Sequence, residues 1–213
     1  MPTLRPSLPL LLVLPGSLGL WHAADALQAR LGLGLGWALL DVLGHAAVAL
    51  AIMLWTWPAW GWRPTLVAVL AATLIDLDHV VAAGSLDPAR LTSLAGRPPA
   101  HSLLGTLVLA NLGAAFGGPR LGYAAGVGAL SHIVRDATAP PGVPLLVPLV
   151  DDWHLLLPDW SLLGLVVALA AASVLLASWS RRPRFGGSWP WRRSPRSALA
   201  PRSRAVPAPD RPG

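Results

Sequence analysis

The sequence predicts an all-α fold: a polytopic integral membrane bundle of about five spans, followed by a disordered C-terminal tail rich in Arg and Pro. Of the 213 residues, 54% are hydrophobic and 12% are charged, with a mean hydropathy of +0.57, whereas about a quarter of the residues of a soluble domain are charged. All basic residues are Arg and all acidic residues are Asp, so the Lys and Glu that cover soluble helices are absent. This composition excludes a water-soluble bundle. The absence of Cys leaves His and Asp as the side chains for any metal.

The clearest predicted span covers residues 161–178, which carry no charge. At 1.5 Å per residue it is about 27 Å long, close to the ~30 Å hydrocarbon core of a bilayer. Trp160 and Trp179 bracket it, and Arg181 and Arg182 follow. Interfacial Trp and a cluster of Arg are typical of a span that ends in the cytoplasm, so we expect a cytoplasmic tail and a multi-pass protein of the inner (plasma) membrane.

Four further apolar stretches predict spans at residues 37–57, 65–84, 102–116 and 121–137. The first twenty residues contain Arg5 and an apolar run that Pro15 interrupts. They predict either a signal peptide ending near residues 22–26 or a sixth, short span. The expected organisation is an N-terminal segment over residues 1–36, a membrane-embedded domain over 37–179 and a tail over 180–213.

The formal charge of +6 is unevenly distributed along the chain. Residues 181–213 carry nine Arg and one Asp, whereas the preceding 180 residues carry seven Arg and nine Asp. A segment rich in Pro, Arg and Ser cannot bury enough apolar surface to fold. We therefore expect the tail to be disordered. The expected partner of the chain is the bilayer, and we predict no specific nucleic acid. The sequence leaves the oligomeric state open.

Seven ionisable residues lie in or beside the predicted spans, where each costs about 3 kcal/mol even on the lenient insertion scale. Consecutive spans run antiparallel, so the start of one span and the end of the next lie on the same side of the membrane. This places all seven in one layer. His132 and Asp136 are four residues apart and Asp76 and His79 are three apart, so each pair shares a helix face. Asp78 projects from a different side of its helix unless the helix unwinds there. The seven are His45, Asp76, Asp78, His79, His101, His132 and Asp136.

Imidazole and carboxylate groups are the ligands for Zn²⁺, Mn²⁺ or Fe²⁺ when thiolates are missing. Seven candidate ligands exceed one tetrahedral site. Two metals about 3.5 to 4 Å apart, bridged by Asp76 or Asp78, would use most of them and would fit hydrolysis of a phosphate ester by an activated water. The candidate catalytic residues are Asp76, Asp78, His132 and Asp136.

Other polar residues have plainer interpretations. Asp41, four residues before His45, is either a partner that orients the imidazole or an interfacial residue. Ser102 and Thr138 are candidate hydrogen-bond partners for the site. For the remaining residues we expect ordinary hydrogen-bonded positions or solvated loops, namely for His22, His154, Asp151, Asp152 and Asp159.

Three alternatives to a metal enzyme remain open. The seven residues would also suit a structural polar network, or the ion or proton relay of a transporter. A relay predicts polar residues at several depths in the spans, whereas these gather toward one end. A catalytically inactive scaffold would use its Arg-rich tail to bind anionic lipid or nucleic acid, at about 1 kcal/mol per Arg near the membrane.

The order and spacing of these motifs resemble the YdjM-like family of inner-membrane proteins, described as metal-dependent hydrolases. The family pattern is an early His on a span, a D-x-D-H, an H-R-x-x-x-H-S-L and an H-x-x-x-D-x-x-T-x-x-G-x-x-L-x-x-P. This chain has His45, then Asp76-Leu77-Asp78-His79, then Arg97 with His101-Ser102-Leu103, then His132-Ile133-Val134-Arg135-Asp136, continuing through Gly142 to Pro148.

Three positions depart from that pattern. Gly96 stands where the family has the first His of its His-Arg pair, Ala139 takes the place of the Thr, and Ile75 replaces a Pro. If the missing His is a ligand in relatives, this copy would be weakly active or inactive. With Ile75 in place of the Pro, we expect a less bent helix.

The resemblance implies a metal-dependent hydrolase with all seven residues as ligands or base. The His132-x-x-x-Asp136 motif is also distantly similar to helical zinc phospholipases C and single-strand nucleases. Together the two similarities favour phosphoesters, and a site at a membrane face favours a lipid or lipid-linked substrate.

Overall fold

The computed structural model describes residues 8–31, 34–92, 94, 96–150 and 153–180. Within these ranges the regular secondary structure is helical, and one antiparallel β-bridge joins Val143 and Leu155. Apart from Ser180, the predicted tail over 180–213 lies outside the described residues, as do Arg5, Asp151, Asp152 and the side chain of Asp159. The helices are α1 Leu8–Gln28, α2 Leu35–Met53, a 3-10 turn Leu54–Thr56, α3 Trp57–Trp60, α4 Trp62–Leu74, α5 Leu77–Ala83, α6 Pro88–Thr92, α7 Leu103–Gly117, α8 Pro119–Asp136 and α9 Asp159–Ser180.

Three helical segments of the described chain are long and apolar enough to cross a membrane: Leu35–Trp60, Trp62–Ala83 and Trp160–Ser180. The helix α7 is apolar but has 15 residues, which gives about 22 Å at 1.5 Å per residue. The 18-residue helix α8 carries Arg120, Arg135 and Asp136. The all-helical fold of a membrane protein is thus confirmed, whereas the count of five or six spans stays a prediction.

Helix α8 lies at the centre of the bundle, packed against α2, α4, α7 and α9. Small residues permit the close approach: a Cβ at Gly128 would stand 2.8 Å from the carbonyl carbon of Ala68 on α4. On the opposite neighbour, a Cβ at Gly122 would meet the Ala110 carbonyl oxygen of α7 at 2.7 Å. Small residues let helices pack closely in a bilayer, where burial of apolar surface gives no driving force for their association.

The second predicted span is interrupted near its end. Helix α4 ends at Leu74 and α5 begins at Leu77, with a turn at Ile75 and Asp76. In that turn the Asp78 N–H donates to the Ile75 carbonyl at 3.2 Å, and the His79 N–H donates to that of Asp76 at 3.1 Å. The helix therefore breaks although Ile75 replaces the family Pro, through a tightened turn and not by unwinding, and Asp78, which follows the break, contacts His101 of the cluster.

Of the predicted N-terminal segment, Leu8–Gln28 forms a continuous helix, α1, that packs along α2. Trp21 and Ala24 are buried against the bundle. Residues 22–26, considered above as the end of a signal peptide, lie inside this helix.

A loop over residues 137–150 and 153–158 folds back over the end of α8. The N–H of Leu157 donates to the Ala137 carbonyl at 2.7 Å, and the N–H of Leu103 donates to that of Leu145 at 3.0 Å. These bonds join the end of α8 to the start of α7. The two ends that carry His132, Asp136 and His101 are therefore held together by backbone contacts.

Candidate metal centre

The structure brings all seven predicted site residues together at one end of the bundle. They come from five elements: α2, the turn after α4, α5, the segment before α7, and α8. The imidazoles of His45, His101 and His132 are 1% exposed or less. The side chains of Asp76 and Asp78 are about a quarter and a fifth exposed, so the cluster opens to its surroundings on the α5 side.

Four donor atoms in this cluster lie at the spacing of a metal's ligands. The Nε2 atom of His132 lies 3.0 Å from His101 Nε2, 3.1 Å from Asp136 Oδ2 and 3.4 Å from Asp76 Oδ1. His101 Nε2 lies 3.3 Å from Asp76 Oδ1 and 3.4 Å from Asp136 Oδ2. A tetrahedron with metal–ligand bonds of about 2.0 to 2.1 Å has edges of about 3.3 to 3.4 Å. These four side chains could therefore hold one metal ion without moving far.

The other ring nitrogens of the two histidines are held by the protein. His132 Nδ1 lies 2.6 Å from the Ala72 carbonyl oxygen, to which it can only donate. This fixes the proton on Nδ1 and leaves Nε2 with a free lone pair. His101 Nδ1 lies 3.3 Å from Asp78 Oδ2, which also accepts from the Ala100 N–H at 3.1 Å. An imidazole held by a carboxylate or carbonyl on one side and facing the centre on the other is the usual arrangement of a metal-bound His.

The electrostatic surroundings of His101 favour a positive charge. Burial lowers the pKa of this imidazole, but its contacts with Asp76 and Asp78 outweigh burial and raise the pKa above its ordinary value. The same carboxylates that favour a proton there would favour a metal cation.

Arg97 binds Asp136, the most buried carboxylate of the cluster. Its Nη1 forms an ion pair with Asp136 Oδ2, its Nη2 donates to the Asp136 carbonyl at 3.4 Å, and its Nε donates to the Gly142 carbonyl at 3.2 Å. Arg97 therefore fixes the end of α8 and the following loop as well as the carboxylate. A Cβ at the neighbouring Gly96 would meet nothing within 4 Å, and the four donors above are complete without a side chain at that position.

His45 and Asp41 extend the cluster along α2. His45 stacks on His132, with ring centroids 3.6 Å apart and planes inclined by 13°. Its Nε2 lies 3.3 Å from Asp136 Oδ1 and 3.7 Å from Asp41 Oδ2, yet neither ring nitrogen makes a hydrogen bond among the described residues. Asp41 thus contacts the imidazole, as one of its two interpretations expected.

Arg135 was missed by the sequence analysis. Its guanidinium donates to Asp25 Oδ1 and Asp41 Oδ1, each at 2.7 Å, and reaches Gln28 Oε1 at 3.5 Å. It fits against α2 because residue 44 is Gly: a Cβ there would stand 2.8 Å from Nη2. A single Arg inside an apolar helix was the available signal, because a cation in a span requires buried acidic partners.

The two candidate hydrogen-bond partners have local roles. Ser102 caps α7: its Oγ accepts from the Gly105 N–H at 3.2 Å and donates to the Pro99 carbonyl at 2.7 Å. This fixes the backbone on either side of His101. The Thr138 hydroxyl donates to the Arg135 carbonyl at the end of α8, at 2.7 Å.

A cavity of about 570 Å³ adjoins the cluster. Asp136 and Arg97 form part of its wall on the side of the candidate centre, and Arg135 and Asp41 form another part. Apolar groups complete it, among them Trp21, Trp37 and Leu162. A ligand in this space would contact both charged groups and aromatic rings.

The donor set fits a divalent metal. Polar atoms that are buried without a hydrogen bond are costly, and three atoms of the described cluster have none: both nitrogens of His45 and Asp76 Oδ2. Groups of three side chains with ligand atoms within 4.8 Å of one another overlap at this place. Ligation is the ordinary way in which such groups are satisfied.

A family model described as YdjM inner membrane protein matches residues 40–191 of the chain. The match contains all seven predicted site residues, together with Asp41, Arg97 and Arg135, whereas α1 precedes it. No curated protein and no solved structure matches the chain. The chain therefore belongs to the YdjM family of inner membrane proteins.

Proposed function

We propose that this chain is a membrane-bound, metal-dependent hydrolase whose metal is held by Asp76, His101, His132 and Asp136. The observation that carries the proposal is the convergence of four donor atoms, with the distances from both histidine Nε2 atoms to the other donors between 3.0 and 3.4 Å and both imidazoles held through Nδ1 so that Nε2 faces the centre. A divalent ion bound there would polarise a substrate oxygen and activate water.

The residues around the centre have distinct tasks in this proposal. Asp78 orients His101, and Arg97 orients Asp136 while balancing part of the negative charge. Asp76, Asp78 and His79 lie on the partly exposed side, where water can enter. A carboxylate on that side, Asp76 or Asp78, is placed to take a proton from the attacking water.

The substrate class we propose is a phosphoester of a lipid or lipid-linked molecule. The cavity beside Asp136 supports it, because Arg97 and Arg135 line the same space as Trp21 and Trp37. A phosphate near the guanidinium groups and an apolar chain near the rings would both find suitable partners. Membership of an inner membrane family supports this choice, because lipids surround such a protein.

The first test is the metal content of the detergent-purified protein, measured by elemental analysis. We expect at least one equivalent of Zn, Mn or Fe in the wild type and loss of that metal in a variant carrying His132→Ala and Asp136→Ala. The matched control is His154→Ala, because His154 is exposed in the loop after α8. It should keep the metal.

The second test is release of inorganic phosphate from phosphorylated lipids in mixed micelles by the metal-loaded protein. Turnover that is lost in the double variant and kept in the control would support the proposal. A wild type that binds no metal even after reloading would overturn it and favour a structural or relay role for the cluster.

A further inference from the structure

His45 is the least satisfied side chain of the cluster. It is 1% exposed, and neither ring nitrogen has a hydrogen bond among the described residues. Its Nε2 nevertheless points at two carboxylate oxygens, Asp136 Oδ1 at 3.3 Å and Asp41 Oδ2 at 3.7 Å. A buried imidazole surrounded by carboxylates but without a hydrogen bond is explained by a cation between these groups.

The two carboxylate oxygens of Asp136 lie near different groups of side chains. Its Oδ2 atom belongs to the four donors of the proposed centre, whereas its Oδ1 atom lies nearest His45. Asp76 repeats the pattern: Oδ1 belongs to the four donors, and Oδ2 is buried without a hydrogen bond. A carboxylate that offers one oxygen to each of two positions is the bridging ligand of two-metal sites, in which the ions lie about 3.5 to 4 Å apart.

Asp41 is held so that one oxygen remains available. Its Oδ1 accepts from Arg135 at 2.7 Å and from Gln28 Nε2 at 3.2 Å, which leaves Oδ2 toward His45. Asp25 holds the other side of the same guanidinium. The ligand atoms of Asp41, His45 and Asp76 all lie within 4.8 Å of one another.

The charges of the cluster also call for cations. Five carboxylates face two guanidinium groups, which leaves a net charge of −3 when the imidazoles are neutral. Buried charge of one sign is stable only when it is paired or bound to metal. One divalent ion would leave a net charge of −1 and two would leave +1, so the charges accommodate a second cation, and the geometry of His45 and Asp136 carries the argument for it.

We propose that Asp41, His45, Asp76 and Asp136 hold a second divalent cation beside the first, with Asp76 and Asp136 as the bridging ligands. This inference rests on the proposed metal centre and adds Asp41 as a ligand and Arg135 as the residue that positions it. At the rival location Asp78 Oδ1 and His79 Nδ1 already face each other at 3.1 Å, and Asp78 Oδ2 is used by His101 and the Ala100 N–H.

The test is the stoichiometry of Mn²⁺ in the full-length protein in detergent, together with its electron paramagnetic resonance spectrum. We expect two equivalents and the signal of a spin-coupled pair. Asp41→Asn and His45→Gln should each bind one equivalent and give the uncoupled signal of isolated Mn²⁺. The matched control is Asp87→Asn on the exposed turn before α6, which should keep two equivalents and the coupled signal.

The outcomes separate this inference from the proposed function. A wild type with one equivalent and no coupling would overturn the second site and leave the first intact. Two equivalents that survive Asp41→Asn and His45→Gln but fall to one in His79→Ala would place the second cation beside Asp78 and overturn the assignment to Asp41. A wild type that binds no Mn²⁺, Zn²⁺ or Fe²⁺ would overturn both.

Discussion

Replacing Gly128 with Ala should loosen the proposed metal centre without touching a proposed ligand. A Cβ at this position would stand 2.8 Å from the Ala68 carbonyl carbon and closer still to its oxygen, whereas ordinary contacts begin near 3.4 Å. Because the obstacle is backbone, α8 must move away from α4 by about 1 Å. One turn further along the same two helices, His132 Nδ1 and the Ala72 oxygen are 2.6 Å apart. The same shift would carry them to about 3.6 Å, beyond hydrogen-bonding distance.

We expect Gly128→Ala to lower the metal affinity by about 10- to 100-fold, the usual effect of losing the group that orients a metal-bound His. Overpacking should also reduce the free energy of unfolding by about 1 to 3 kcal/mol. The assays are competition with a fluorescent chelator and thermal unfolding in detergent. The matched control is Gly164→Ala on α9, where a Cβ would meet nothing within 4 Å. Unchanged affinity in Gly128→Ala would refute the argument that this helix contact sets the position of His132.

Three further substitutions test single contacts. Asp78→Asn weakens the acceptor that holds His101 Nδ1 and should lower the metal affinity about 10- to 100-fold with little change in melting temperature; an affinity equal to that of the wild type would contradict the orienting role. Gly44→Ala places a Cβ against the Arg135 guanidinium and should destabilise the protein by about 1 to 3 kcal/mol, as thermal unfolding would measure; a neutral result would mean that the guanidinium moves freely. Ser102→Ala removes the cap of α7 and should cost about 1 kcal/mol in the same measurement, with an unchanged melting temperature as the contrary outcome.

The grouping of the site residues was predictable because it follows from connectivity alone. In antiparallel helices joined by short links, the end of one helix and the start of the next share a layer. His45, Asp76, His101 and His132 meet for this reason, and the D-x-D-H and H-x-x-x-D spacings only fix which residues of each helix face inward. The prediction that all seven lie in one layer therefore needed no knowledge of side-chain packing.

The roles of Asp78 and Asp136 were not predictable from spacing. A bridging role was expected of Asp76 or Asp78, but Asp78 lies behind His101, and Asp136 presents its two oxygens to different neighbours. The position of Asp78 follows from the turn at Ile75, which contains neither Gly nor Pro, and the position of the Asp136 carboxylate follows from its ion pair with Arg97. The ion pair also involves the loop after α8, because Arg97 Nε donates to the Gly142 carbonyl, and this tertiary contact has no local signal.

The N-terminal helix is part of the site's support, although nothing in its composition suggested this. Arg135 lies on α8 between two proposed ligands and cannot stay buried without acidic partners. One of its two carboxylates, Asp25, comes from α1, and Gln28 of α1 contacts both Arg135 and Asp41. Removal of α1 would leave the guanidinium with Asp41 alone and open one wall of the cavity. Because Asp41 in turn faces His45, the position of α1 is coupled to the arrangement of the metal ligands through two charged contacts.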